Sequence, residues 1–300
     1  MPAGALDEAI GATVAALRQP AYRHLLGVGI ILDGQERSCG MAIDRLTDVF
    51  SVTKPVVARG VREAMRHGLF TGDDDRITAP DSRCPPTIGD LLAMTQQWRS
   101  EPDMDRIEQS GQDPLPGIRA ELGCGRAAGR YVNAGMHLLM RELDLRTGSA
   151  RSFLEETVLA PAGVPDYRWE ADPTGVPWGH AHLQLSVRGL LGLGSAWRRA
   201  YAAELDGEPT TAPMAPEGLP YAAGLWFGAD VIMAAGWGGQ CLMIGRRSDL
   251  VVATLGETGW DRATNRDRLP DGWRSGRELF ERYPLPVLLG TDPGEAAHTG

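Results

Sequence analysis

The sequence predicts an α+β protein whose antiparallel sheet is assembled from two segments far apart in the chain. Three observations lead there. Two strand-like runs follow an N-terminal helical run. Three or four strand-like segments precede a C-terminal helical run. Between them, from about 80 to 190, the spacing is helical and broken by loops rich in proline and glycine. The expected organisation is one lobe of residues 1–80 plus 205–300, carrying the sheet with its N- and C-terminal helices. Residues 81–204 form an inserted, mainly helical lobe, and a cleft separates the two.

Each element has a local reason. Residues 5–18 place Ala5, Leu6, Ile10, Val14 and Leu17 on one helical face, and Pro20 ends the run. Residues 27–32 and 38–43 read as strands joined through Asp33-Gly34, a hairpin signal. An amphipathic helix then starts at Ser51, buries Val57, Val61, Ala64 and Met65, and stops at Gly68. Pro55 is tolerated because the amides of a helix's first turn have no intrahelical partner. In the middle, residues 88–94 (cap Thr87), 133–143, 152–159 and 186–201 (cap Ser186) have helical spacing. Residues 100–130 show no clear period. Pro209, Pro213, Pro216, Gly218 and Pro220 mark 206–220 as loop. Strands follow at 221–227, 231–235, 240–244 and 250–255, and a last helix at 273–283.

Composition narrows the function. Hydrophobic content of 43% and charged content of 23% are ordinary for a globular protein. A net charge of −9 and no basic run interleaved with aromatics argue against nucleic acid and anionic membranes as partners. The N-terminus has Asp7 and Glu8 but no basic, apolar leader, and no apolar run reaches membrane-spanning length. The expectation is a cytoplasmic protein whose four widely spaced cysteines (Cys39, Cys84, Cys124 and Cys241) stay reduced.

Of the 30 basic residues, 29 are arginine and one is lysine, Lys54. Arginine cannot lose its proton in a protein, whereas a desolvated lysine can. The exception therefore marks a place where a neutral amine is needed. Ser51 lies three residues earlier, one helical turn away, which suits a nucleophile beside its activating base. Tyr131-Val132-Asn133, just before a helix, offers a phenol to shuttle a proton and an amide to meet a substrate carbonyl. Gly236-Trp237-Gly238-Gly239-Gln240 leads into a strand and lets something approach the backbone closely, or serves as a hairpin turn. Gly179-His180-Ala181-His182 holds two potential metal ligands but no third at metal-site spacing, so no metal is expected. Trp178, Trp226 and Trp237 are candidates for an aromatic acyl pocket.

Taken together, these segments resemble the β-lactamase-like serine hydrolases, which include class C β-lactamases, D,D-peptidases and family VIII carboxylesterases. Asp48-Val49-Phe50-Ser51-Val52-Thr53-Lys54 is similar to the nucleophile segment. Residues 88–95 are similar to the helix that follows it, and Tyr131-Val132-Asn133 to the Y-x-N motif. Trp237-Gly238-Gly239 takes the place of the third motif, and order and spacing all match. The resemblance implies a β-lactamase/transpeptidase-like fold without a cofactor. It implies that Ser51 attacks an acyl carbonyl, that Lys54 and Tyr131 relay the proton, and that Asn133, Trp237, Gly238 and Gly239 contact substrate. It also implies an oxyanion hole made by the backbone amides of Ser51 and Gln240. Trp237 stands where β-lactamases and peptidases carry a cation for the substrate carboxylate, which argues against those two activities. The expected function is acyl-enzyme chemistry on a small ester or amide, esterase-like. The alternative is transfer of the acyl group to an amine or alcohol acceptor in small-molecule biosynthesis. A non-catalytic relative that binds acyl or peptide ligands is the rival from another class.

Overall fold

A computed structural model of the chain describes residues 4–41, 43–79, 82–164, 166–200, 211–261 and 266–289. The N-terminal part runs α1 (Ala5–Leu17), β1 (Leu25–Leu32), β2 (Gln35–Gly40), β3 (Thr47–Asp48) and α2 (Thr53–Arg66). The middle holds α3 (Ile88–Leu92), β4 (Gln96–Trp98), α4 (Met104–Gln109), α5 (Pro114–Ala120), β5 (Leu122–Arg126), α6 (Asn133–Thr147), α7 (Ala150–Leu154), β6 (Arg168–Trp169), β7 (Leu183–Leu185) and α8 (Val187–Ala200). The last part holds β8 (Tyr221–Ala222), β9 (Leu225–Phe227), β10 (Val231–Gly236), β11 (Gln240–Gly245), β12 (Val251–Gly256), α9 (Gly276–Arg282) and α10 (Pro284–Leu289).

The predicted α+β class is the observed one. A seven-stranded antiparallel sheet has the order β2-β1-β12-β11-β10-β9-β8, so the N-terminal hairpin joins the C-terminal strands through β1 and β12. The Asp33-Gly34 turn has positive φ at both residues (50° and 74°), the combination a two-residue hairpin requires. Alternate residues of a strand face opposite sides, and β12 shows what each side covers. Val251 meets Gly194 of α8 on one face, and Thr254 meets Gly276 of α9 on the other. Helix α8 lies within the stretch assigned to the helical lobe, yet it packs on β1, β11 and β12.

Several boundaries differ from expectation. The 221–227 run is two short strands, because Ala223 and Gly224 turn with φ of 51° and 85°. The last helix begins at Gly276 rather than 273, because Ser275 and Glu278 close a capping box there. Thr87 caps α3 as read, its side chain accepting from the Asp90 amide at 3.1 Å. Residues 100–130, unreadable in sequence, form α4, α5 and β5, which pairs with β4 just before them. The parts of the 186–201 helix and the 206–220 loop at residues 201–210 lie outside the described residues.

The expectation of four reduced cysteines is overturned. Cys84 and Cys124 form a disulfide across 40 residues, because β5 folds back beside the loop before α3. Cys39 and Cys241 are free. Among the described residues, no helix is long and apolar enough to cross a membrane.

Candidate active site

Helix α2 is not the amphipathic surface helix its pattern suggests. Every residue from Val52 to Val61 is buried, because α6, α7 and the β8–β9 turn at Gly224 pack against it. Its entry is held by short-range bonds. Asp48 accepts from the Phe50 amide at 2.7 Å, and Val49 donates to the Leu183 carbonyl at 2.8 Å. Phe50 sits at φ 46°, an uncommon conformation for a residue with a side chain. Residues Phe50–Val52 form a tight 3₁₀ turn that runs straight into α2, so Ser51 stands at its head.

Lys54 reaches back from the first turn of α2 with Nζ 2.6 Å from Ser51 Oγ. It also donates to the His180 carbonyl at 3.0 Å. The lysine is completely buried, and desolvation holds its pKa well below the ordinary value. Both of these hydrogen-bond partners are neutral.

Tyr131, at the end of the loop before α6, covers the same amine, with its ring centroid 4.8 Å from Lys54 Nζ. Its phenol lies close enough to the Ser51 hydroxyl to feel it. Burial raises the phenol's pKa against the opposing effect of that hydroxyl. Trp226 stacks on the ring at 5.5 Å and Tyr221 meets it edge-on, so the β8–β9 edge of the sheet fixes Tyr131. Ser51, Lys54 and Tyr131, read from three separate signals, are thus brought together.

Asn133 is the first residue of α6 rather than its cap, which is Val132. Its side-chain oxygen is buried and has no hydrogen-bond partner among the described residues, and Asn133 lines the cavity beside Ser51. The Trp237-Gly238-Gly239 segment is the turn between β10 and β11, with Gly236 paired to Gln240. Gly238 and Gly239 take φ of 74° and 88°, which a side chain would strain. A Cβ on Gly236 would stand 2.4 Å from the Val49 carbonyl, so only glycine lets β10 pass this close to the nucleophile turn. The Gln240 side chain is spent on the sheet, donating to and accepting from Gly256 at 2.8 and 2.6 Å. Its main chain opens β11, which packs beside the Ser51 turn.

The cavity has a volume of about 460 Å³, and its apolar side is Phe50, Trp237 and Trp260. The tryptophan pocket proposed from sequence is thereby corrected. Trp226 backs Tyr131, Trp178 packs on His137 at 4.6 Å, and of the three only Trp237 lines the cavity. Trp237 is half exposed and donates to Asp267 at 2.9 Å.

Opposite lies a polar cluster that sequence reading missed. Glu108, from α4, reaches His180 at 2.9 Å and His182 at 3.0 Å. The other ring nitrogen of His182 is 3.1 Å from Asp48. Burial pushes His180 down to about 4 despite the Glu108 carboxylate. Burial would lower His182 too, but Asp48 and Glu108 overcome it and raise it to about 9. Burial would raise Glu108, yet the two imidazoles hold it well below the usual carboxylate range. The sequence signal for half of this cluster was Gly179-His180-Ala181-His182. The missing third donor stands 72 residues before His180, in a short helix with only Met104 and Ile107 to betray it.

No family model and no curated protein sequence matches the chain. Solved structures do. A penicillin-binding protein from Bacillus halodurans superposes with a TM-score of 0.67 at 14% identity, over 85% of this chain and 95% of that one. A D-stereospecific amidohydrolase from Streptomyces sp. gives 0.65 at 15%, over 96% and 99%. A β-lactamase from Mycobacterium bovis gives 0.63 at 17%, over 92% and 100%. At these identities the likeness is one of fold, the fold these β-lactamase, penicillin-binding-protein and amidohydrolase structures share.

Proposed function

We propose that this chain, built on the β-lactamase and penicillin-binding-protein fold, forms an acyl-enzyme on Ser51 from a small ester or amide. The observation that carries the reading is the completely buried Lys54 amine, 2.6 Å from Ser51 Oγ and hydrogen-bonded to uncharged groups. A neutral amine in that position takes the Ser51 proton as Oγ attacks the acyl carbonyl. The raised Tyr131 phenol stays protonated, so Lys54 serves as the base and Tyr131 as the donor that passes a proton to the leaving group. The oxyanion is assigned to the backbone amides of Ser51 and Gln240, each worth about 3 kcal/mol in the barrier. Asn133 offers its unpartnered amide oxygen to an N–H or O–H of the acyl group. Water, or an amine or alcohol acceptor, then attacks the acyl carbonyl and releases Ser51.

The names of the structural neighbours, a β-lactamase and an amidohydrolase among them, fit acyl chemistry of this kind. The described cavity lining includes Asp105 and Glu108 and neither lysine nor arginine. The His182 imidazole that also lines it is already paired with Asp48 and Glu108, so no uncommitted cation meets a substrate carboxylate there, which favours simple esters and amides over β-lactams. The test is labelling with a fluorophosphonate followed by peptide mass spectrometry. Modification at Ser51 is expected, and turnover of p-nitrophenyl acetate with Ser51 unmodified would eliminate the reading. Offering amines during turnover separates transfer, which yields amide, from hydrolysis, which yields only acid.

A further inference from the structure

We infer that Glu108, His180 and His182 form a binding site for a divalent ion of the zinc class, opening into the Ser51 cavity. The sequence argued against a metal because two histidines alone do not hold one. The fold supplies the third donor from α4, and one donor atom from each residue lies within 4.8 Å of the others. Ligands at about 2.0–2.2 Å from a tetrahedral zinc stand roughly 3.3 Å apart. The Glu108 oxygens already lie 2.9–3.2 Å from the two imidazole nitrogens, close to that spacing, and an ion would draw the three donors in around itself. Both histidines are more than nine-tenths buried.

The surroundings of His182 support a ligand set rather than a chance contact. Asp48 stands 3.1 Å from the far nitrogen of His182, the carboxylate–histidine arrangement that fixes ring orientation at metal sites. His182 is held at φ 68°, an uncommon conformation, with its other ring nitrogen 3.0 Å from Glu108. Two carboxylates, Asp48 and Glu108, converge on this one imidazole, and a dication compensates them better than a proton does. Two histidines and one glutamate leave a coordination position open, as catalytic rather than structural zinc sites do. All three donors line the cavity beside Ser51, so that position faces substrate. Resting on the acyl-enzyme reading, the ion would supply the positive charge that Trp237 cannot, and would take a carboxylate or carbonyl oxygen of the acyl donor.

The experiment uses untagged, chelator-treated full-length chain titrated with Co²⁺, followed by visible absorption and then displaced with Zn²⁺. One ion per chain, with ligand-field bands of low coordination number, is expected. Glu108→Gln, which keeps hydrogen-bonding capacity, and His182→Ala should each weaken binding by about 100-fold or more. Asp48→Asn should cost roughly 10–100-fold. His67→Ala, at an exposed histidine on another face, should bind as the parent does. Absence of stoichiometric binding, or binding unchanged in folded Glu108→Gln, overturns the proposal. Fluorophosphonate labelling of Ser51 in the same samples shows separately whether the acyl-enzyme reading survives.

Discussion

Two buried ionisable groups, some 120 residues apart in sequence, are treated in opposite ways. Asp172 is saturated. Arg141 donates to it at 2.9 Å, His137 approaches it at 3.2 Å, and Thr174 and Val176 turn their amides onto it at 2.8 and 3.2 Å. Burial would raise its pKa, but these partners hold it well below the ordinary carboxylate value. Lys54 is equally hidden, yet its hydrogen bonds go to a hydroxyl and a carbonyl, and desolvation acts on it unopposed. A buried charge with full pairing is fixed in one protonation state and organises structure, here the turn leading to Trp178 and His180. A buried amine without a counter-charge gives up its proton, and that makes it available for chemistry.

The contrast can be broken most directly at Lys54. Lys54→Arg keeps a cation that cannot deprotonate, so Ser51 labelling should fall by about 10²–10⁴-fold. Lys54→Met should lose labelling as well but melt at a higher temperature, since it removes an amine whose burial is not repaid; a lower melting temperature would contradict the unpaired state. At Asp172 the split should be reversed. Asp172→Ala should cost about 3–5 kcal/mol in denaturant titration, because it strands a buried arginine–histidine pair, while folded protein still labels at Ser51. Arg141→Met should cost less, about 1.5–3 kcal/mol, since the threonine and backbone bonds to Asp172 remain.

The smallest effect is the finest test. With chelator present, the Ser51 labelling rate should rise about tenfold per pH unit below the Lys54 pKa, then level off well below 10.5. The sign follows from the depressed value: protonated Lys54 is inactive at low pH, and raising the pH frees the amine. In the unfolded chain lysine binds its proton more tightly, so the parent should also gain stability with pH relative to Lys54→Met. A rate limb unchanged in Lys54→Arg would remove lysine as the titrating base.

Much of the site was legible because its chemistry is local. Ser51 and Lys54 are one helical turn apart, and a lone lysine among arginines needs no coordinates to be noticed. Thr87 and Ser186 announced helix starts, and each accepts the expected amide hydrogen bond, at 3.1 and 3.0 Å. Reading failed where few residues carry the pattern. Helix α4 spans only Met104–Gln109, too short for a period, so nothing in the sequence singled out Glu108. It failed again where partners are distant, as with Cys84 and Cys124, which sequence left as separate thiols.

The amino-acid sequence by itself determined the two-part sheet, the order of the three motifs and the pairing of Ser51 with the Lys54 amine. Each of these depends on periodicity, capping or spacing within a few residues. Tertiary structure alone decided that Lys54 is wholly dry, that burial pushes the Lys54 amine down and the Tyr131 phenol up, and that a glutamate from α4 meets two histidines across the cavity. Those properties depend on desolvation and on contacts between segments remote in the chain, and the order of residues does not state which distant groups will exclude water from one another.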